Sequence, residues 1–360
     1  MTEPTTYYPP ETRVMPLTLI RRERMLPAPG EVLVLAGARV EPADVVARAE
    51  VGGQFRTLEI ARLLRVPPAK AAGYLKKDMN DVIKAGEVIA SRPGLPARHV
   101  RSPVAGTIVD VDDHDGRVAI QVASDKVELR AYLKGTIGNV LGNWGVVIET
   151  PGALIQAACG FGGESYGVLS VATELTGEPL KASSIDLKAH GSVVVGGGWI
   201  HESALEQAQQ LQLKGMIAGS IDAGLLEMAR RMPFPIILTE GIGQIAMATP
   251  IFDLLQSQDG REVSINAVTR TRWGVQRPEI LIPLPSETRP PMPPAVGAPL
   301  TVGARVRVVR GPTAGWVGTV SAIPAHAQRI ETGTRVHGVE VQFSSTSIAF
   351  VPFANLELLR

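Results

Sequence analysis

Arg305, Arg307 and Arg310 lie within a dozen residues of Trp316, in the run Val302-Gly-Ala-Arg-Val-Arg-Val-Val-Arg-Gly-Pro-Thr-Ala-Gly-Trp-Val-Gly-Thr-Val320. Guanidinium groups beside an aromatic ring can hold RNA phosphates and stack a base. The same set can dock an acidic protein surface, or simply stand in solvent. A second candidate is glycine-rich. Gly196-Gly-Gly198 ends an apolar run just before a helix that starts near Glu202, where backbone amides can cradle a phosphate. It matches neither the dinucleotide-binding glycine pattern nor the P-loop, so a tight strand-to-helix turn competes with a ligand loop. Glu240, Gly241 and Gly243, with Gly219, Ser220 and Asp222, would line one edge of the same sheet, the place where open α/β sheets take ligands.

Other chemistry finds little support. The six histidines (99, 114, 190, 201, 326 and 337) contain no pair at metal-ligand spacing, which argues against a metal site. No serine sits in a G-x-S-x-G elbow, and Cys159, the single cysteine, has no base near it in sequence. It reads as a small buried residue, and one cysteine permits no internal disulfide. No cofactor is expected. The composition is that of a globular chain, with 45% hydrophobic and 20% charged residues across 360 positions, enough for two to four domains. Plentiful Gly (37) and Pro (28) with few aromatics favour short strands and turns. A net charge of +1 provides no long-range field for nucleic acid, so any such contact must be local. The first residues lack the pattern of a signal peptide, and no apolar run approaches the roughly 20 residues that span a bilayer. A cytoplasmic protein without membrane contact is the expectation, its oligomeric state open.

The elements that would position these groups can be read in turn. Arg305, Val306, Arg307 and Val308 alternate as a half-buried strand does, with valines inward and arginines outward, before a tight Gly311-Pro312 turn and a second strand entered through Gly315 and Gly318. Upstream, apolar strands at 193–195, 215–219, 235–239 and 262–266 alternate with helices at 202–211, 222–231 and 249–256. That alternation predicts βαβ units on a parallel sheet. Seven prolines within residues 283–299 predict a semi-rigid spacer ahead of the last domain. Residues 131–185 show no clear period.

Nearer the N-terminus, residues 1–27 read as an extended, proline-rich lead-in. Val40-Glu-Pro-Ala-Asp-Val-Val-Ala47 then aligns without gaps on Ile83-Lys-Ala-Gly-Glu-Val-Ile-Ala90. Each places a turn before an apolar strand. Arg101-Ser-Pro-Val-Ala-Gly-Thr-Ile-Val-Asp-Val111 and a hairpin through Asp113-His-Asp-Gly116 follow. Between the repeats, residues 57–75 carry a helical stripe ended by Pro67-Pro68, either a plain insertion or a helix-turn-helix with Arg62, Arg65, Lys70, Lys76 and Lys77 as its only charge.

Two resemblances follow from these strings. Residues 28–130 resemble the barrel-sandwich hybrid fold of biotinyl and lipoyl carriers, of the Rnf-complex C subunit's N-terminal domain and of a domain in the RNA polymerase large subunit. A carrier needs a lysine at the tip joining its half-barrels, and the matching loop Ser91–His99 has none. Ser124-Asp-Lys-Val127 echoes an attachment motif but follows the last hairpin. The 302–320 run resembles the KOW motif of NusG-type elongation factors and some large-subunit ribosomal proteins. That likeness implies an SH3-like barrel at 300–360 binding RNA or a protein partner without chemistry, through Arg305, Arg307, Arg310, Gly311, Pro312, Gly315, Trp316 and Gly318. The lysine-rich flank of the ribosomal members is missing, and the NusG-type N-terminal domain has no counterpart.

The expected fold class is thus multidomain α/β and β: a barrel-sandwich hybrid domain (28–130) with a helical insertion (51–76), a parallel α/β sheet domain (131–282), a Pro-rich linker (283–299) and a C-terminal SH3-like (KOW) barrel. The expected function is a non-catalytic adaptor that binds RNA or a transcription- or translation-associated protein. The alternative is an enzyme subunit or small-ligand sensor with its site at the C-terminal edge of the α/β sheet.

Overall fold

The structure, a computed structural model, describes residues 6–51, 53–94, 96–112, 114–122, 125–270, 276–293 and 297–360. Asp113, Ser124, Pro294 and the first five residues, each part of a string read above, lie outside that set. The chain is mostly β, arranged in several sheets. Among the described residues, no helix is long and apolar enough to cross a membrane.

Two strands of 12 residues each, Val14–Met25 and Gly145–Gln156, run antiparallel and form the spine. Val146, Val147, Ile148, Ala153, Leu154 and Ile155 are fully buried, so both faces of the second strand are covered. A run buried on both faces reads as continuously apolar instead of alternating. On its other edge Gly145–Gln156 pairs first with Gly135–Val140 and then with Glu279–Pro283. The expected N-terminal lead-in is therefore corrected in part: residues 14–25 are extended, but as a strand inside the largest sheet.

The repeat at residues 40–47 and 83–90 proves to be half of a larger one. Gly135 pairs with Val40 and Thr136 with Arg39, while Gly106 pairs with Ile83 and Thr107 with Val82. Arg130-Ala-Tyr-Leu-Lys-Gly-Thr-Ile-Gly-Asn-Val140 thus repeats Arg101-Ser-Pro-Val-Ala-Gly-Thr-Ile-Val-Asp-Val111. The details coincide. The Asp44 carboxylate accepts the Glu41 amide and the Glu87 carboxylate the Lys84 amide, both at 2.8 Å. Arg130 donates to the Ala43 carbonyl and Arg101 to the Gly86 carbonyl, again both at 2.8 Å. Ile137 faces Ile148 as Ile108 faces Ile120, and all four are buried.

One unit sits inside the other. The outer ribbon pairs Val45–Val51 with Asp125–Arg130, and the inner ribbon pairs Val88–Arg92 with Arg98–Arg101. Where the inner ribbon passes from Arg92 to its partner Arg98, the outer one carries the entire inner unit, entered after Val51 and left before Asp125, which are paired neighbours. Each unit has its own core, around Ile137 and Ile148 in one and Ile108 and Ile120 in the other. Residues 131–140, which showed no period, complete the outer unit. The helical insertion is two short helices, Ile60–Leu64 and Pro68–Ala71, whose Ile60, Ala61, Leu64 and Ala71 plug the inner core. A five-residue helix is about 7.5 Å long, too short to read a groove. The helix-turn-helix alternative is set aside on that ground.

The strand and helix order read from the sequence matches the structure closely. Val193–Val195, Gly215–Ile221 and Ile236–Ile242 are parallel, with Glu164–Val171 parallel beside Val193–Val195. Alternate residues face two cores. Val193, Val195, Ile217 and Ile237 pack toward helix Thr249–Ser257, and Val194, Met216, Ala218 and Ile236 toward helices Glu202–Gln210 and Leu226–Arg231. The sheet is not wholly parallel, however. Helix Thr249–Ser257 carries the chain to the far side, and Glu262–Asn266 enters antiparallel to Glu164–Val171 and next to Glu279–Pro283. That antiparallel pair fuses the region to the spine, so the sheet continues across the expected boundary at residue 130.

The last sixty residues supply five strands of a six-stranded sheet around Val306, Val308, Val320, Val339, Val341 and Leu358. Its first member is foreign to the segment: Glu11–Thr12 pairs parallel with Leu356–Leu359. Tyr7 stacks on Phe353 with ring centroids 4.4 Å apart. The described parts of the proline-rich run, up to residue 293 and from 297, are held against the rest of the chain and do not form a free spacer. The Pro291 carbonyl accepts from the Leu19 amide at 3.0 Å and the Thr18 hydroxyl at 2.8 Å, and Glu11 accepts the Gly297 and Ala298 amides. Prolines leave their carbonyls free to accept such bonds while donating none.

Candidate functional site

The parallel strands of the body end where a ligand would be sought, and the protein fills that place itself. The loop after Ile236–Ile242 folds back across the strand ends. Ser220, fully buried, donates its hydroxyl to the Ile245 carbonyl and accepts the Ile245 amide, both at 2.8 Å. The Met247 amide reaches the Gly197 carbonyl at 2.7 Å, and the Ala248 amide the Glu240 carboxylate at 3.0 Å.

Gly196, Gly197 and Gly198 are buried under this loop with every amide engaged, to the Ile217 carbonyl, the Thr173 hydroxyl and the Glu178 carbonyl, each at 2.8 Å. A Cβ on Gly197 would lie 2.3 Å from the Leu175 carbonyl oxygen. Glycine is required there by chain packed on chain, and no amide is left for a phosphate. The ligand-loop expectation for Gly196, Gly197 and Gly198 is thereby corrected. Gly219 is likewise buried, and its amide bonds the Gly198 carbonyl at 2.9 Å. Asp222 caps the following turn by accepting the Gly224 amide. Gly241 and Gly243 adopt φ of 107° and 133°, which the fold-back demands.

Arg307 lies at the centre of the remaining space. The alternation read from the sequence is right about faces: Val306 and Val308 enter the core of the C-terminal β-unit, and Arg305 and Arg307 point the other way. The expectation that Arg307 is outward and solvated fails, because the body covers that face at Arg307 and leaves Arg305 uncovered. Arg307 is 1% exposed. Its Nη1 donates to the Thr239 carbonyl and to Glu240 Oε1, both at 3.0 Å, and its Nε to Glu357 Oε1 at 2.8 Å. Glu357 is held further by the Thr12 hydroxyl at 2.7 Å and by Arg277 at 3.3 Å. Strand ends of the body, the N-terminal strand and the β-unit thus converge on one buried charge cluster.

Burial opposes the Arg307 charge, yet Glu240 and Glu357 outweigh it and hold the guanidinium's pKa above its usual value. For Glu240 burial dominates and raises the carboxyl's pKa, against the opposite pull of Arg307 and the Ala248 amide. The folded chain therefore holds a proton on Glu240 more tightly than the unfolded chain does. Stability from that group is present below the ordinary carboxylate pKa and lost as pH rises through the raised folded value. Glu240→Gln should accordingly gain stability relative to wild type as pH rises from the ordinary carboxylate pKa of about 4 through the raised folded value. Urea denaturation of both proteins at several pH values checks this, and a pH-independent difference would contradict it.

Six of the eight residues singled out in the C-terminal run meet elsewhere. Arg305, Gly311, Pro312, Gly315, Trp316 and Gly318 line a groove of about 1080 Å³ between the β-unit and the fold-back loop. Trp316 is 51% exposed and stands edge-on to Phe343, ring centroids 5.3 Å apart. Gln244, Asp253 and Gln342 add polar groups to the lining, beside several threonine and serine hydroxyls. Gly315 sits at φ 87°, where a Cβ would lie 3.1 Å from the Ile245 side chain, a close approach that a side chain would crowd. Arg310 belongs to a separate cleft beyond that contact.

Sequence reasoning missed Thr12, Arg277, Glu357 and the loop at 244–248. One signal was present: Glu357 is a lone acid between Leu356 and Leu358 in an apolar terminal strand, a position that a buried cation must satisfy. Burial raises the pKa of the Cys159 thiol, which disfavours a nucleophilic thiolate. Among the described residues, no three His, Cys, Asp or Glu side chains gather as a metal set. No protein-family model matches the chain, and no curated protein matches its sequence.

Proposed function

We propose that the protein is a non-catalytic adaptor whose C-terminal β-unit, similar to KOW barrels, binds RNA through the groove around Trp316. The observation that carries this reading is the half-exposed indole set edge-on against Phe343, with Arg305 and two glutamine amides on the same surface. An exposed ring offers a stacking face, amides can read base edges and a guanidinium can meet a phosphate. Single-stranded RNA uses all three. The nested double unit at residues 31–148, similar to barrel-sandwich hybrid domains, and the body would then serve as scaffold.

The rival, an enzyme subunit or ligand sensor at the sheet edge, loses support because Arg307, Ser220 and the 244–248 loop occupy that edge. Docking of a transcription- or translation-associated protein on the same groove is the competing outcome of the test.

Trp316→Ala should leave the melting temperature nearly unchanged, since half of the ring is already in water, while short unstructured RNA loses roughly 5- to 150-fold in affinity, the worth of one stacked base. Fluorescence anisotropy with labelled oligonucleotides at fixed low salt measures it. Equal affinity of wild type and variant, or no binding to either, would remove RNA as the occupant of the groove.

A further inference from the structure

Beyond the Ile245–Gly315 contact lies a second cleft, of about 430 Å³. Its charged walls come from three parts of the chain: Arg307, Arg310 and Glu357 from the β-unit, Arg270 and Arg277 from the segment after Glu262–Asn266, and Glu240 from the body. Both carboxylates are committed, Glu240 to Arg307 and the Ala248 amide, Glu357 to Arg307, Arg277 and the Thr12 hydroxyl. Arg270 and Arg310 are exposed, and among the described residues their guanidinium groups form no hydrogen bond or ion pair. Four guanidinium groups against two carboxylates leave two positive charges facing the opening.

We propose that this cleft binds a phosphate-bearing anion between Arg270 and Arg310, with Arg277 beside them and the Gln276 amide as a neutral hydrogen-bonding group. Two uncompensated guanidinium groups match the charge of about −1.5 to −2 carried by a phosphate monoester at pH 7, and planar forks suit its oxygens. The volume exceeds that of a bare phosphate and falls in the range of about 300–1,000 Å³ usual for small-molecule pockets, so the phosphate carries an organic part. That part is either a free ester or RNA, because the cleft shares Ala314, Gly315 and Ile245 with the Trp316 groove. The inference does not depend on RNA occupying that groove.

Pyrophosphate is the probe, titrated calorimetrically into the full-length protein at low salt. Wild type should bind it, and the double variant Arg270→Gln/Arg310→Gln should bind at least about tenfold more weakly, each exchange removing a charge-assisted contact. Both positions are exposed, so the double variant should melt like wild type. Trp316→Ala and Arg305→Gln, which alter only the groove, should bind pyrophosphate as wild type does, which separates failure here from failure of the groove reading. Displacement of pyrophosphate by 5′-phosphorylated RNA, itself weakened by the double exchange, assigns the phosphate to RNA. Displacement by nucleoside monophosphates but not by RNA assigns it to a free ester. No detectable binding at about 10 mM pyrophosphate, or equal binding by the double variant, overturns the proposal.

Discussion

Replacing Arg307 with alanine should destabilise the protein by about 3–5 kcal/mol, the usual consequence of removing one partner from a buried ion pair. The loss comes less from missing attraction than from what stays behind: Glu240 and Glu357, with side chains 4% and 6% exposed, would be left without their shared cation. Of these two carboxylates Arg277 reaches Glu357 alone, so Glu240 suffers most. Since Arg307 bridges the β-unit to Thr239 and Glu240, the contact between unit and body should loosen first. Limited proteolysis would then cut within the segment 284–293 faster than in wild type, alongside a lower midpoint in urea. Exchanging all three charges for apolar residues of similar volume, Arg307→Met, Glu240→Leu and Glu357→Leu, should recover most of the stability. A single exchange costing less than about 1 kcal/mol would show that water reaches the cluster and that the interface is open.

The nested repeat makes the second strong prediction. Ile108→Ala and Ile137→Ala remove the same side chain from equivalent buried positions, and each should cost about 2–5 kcal/mol. Their reach should differ. All strand pairs of the inner unit lie within residues 55–122, and it joins the outer unit through the paired ends Val51 and Asp125. Hydrogen exchange in Ile108→Ala should therefore rise across residues 55–122 and hardly elsewhere. In Ile137→Ala it should rise through Gly135–Val140 and the spine strand Gly145–Gln156, which that isoleucine packs against and which holds the body. Identical exchange patterns for the two variants would mean that the units unfold together and that the nesting carries no independence.

Much of the local structure was legible. The strands and helices between Val193 and Asn266 follow from apolar runs broken by glycine and proline, because these report whether a segment is buried and where it must turn. The turns at Pro42 and Gly86 follow from the repeat. The second half of that repeat escaped notice because its partner segments, 101–111 and 130–140, are 29 residues apart while the first halves are 43 apart. No constant period links them, since one unit is inserted in the other.

The candidate site divides the same way. Sequence alone determined that Arg305 and Arg307 share a face, that Trp316 follows a tight glycine turn and that glycines cluster at the ends of the body strands, because side-chain alternation and φ are local properties. Only the tertiary structure decided that Arg307 is buried while Arg305 is open, that Gly196–Gly198 spend their amides on the chain itself and that Glu11 and Thr12 join a sheet formed some 300 residues later. Which surface a second layer covers depends on contacts between distant segments, and two arginines of identical local pattern carry no record of it.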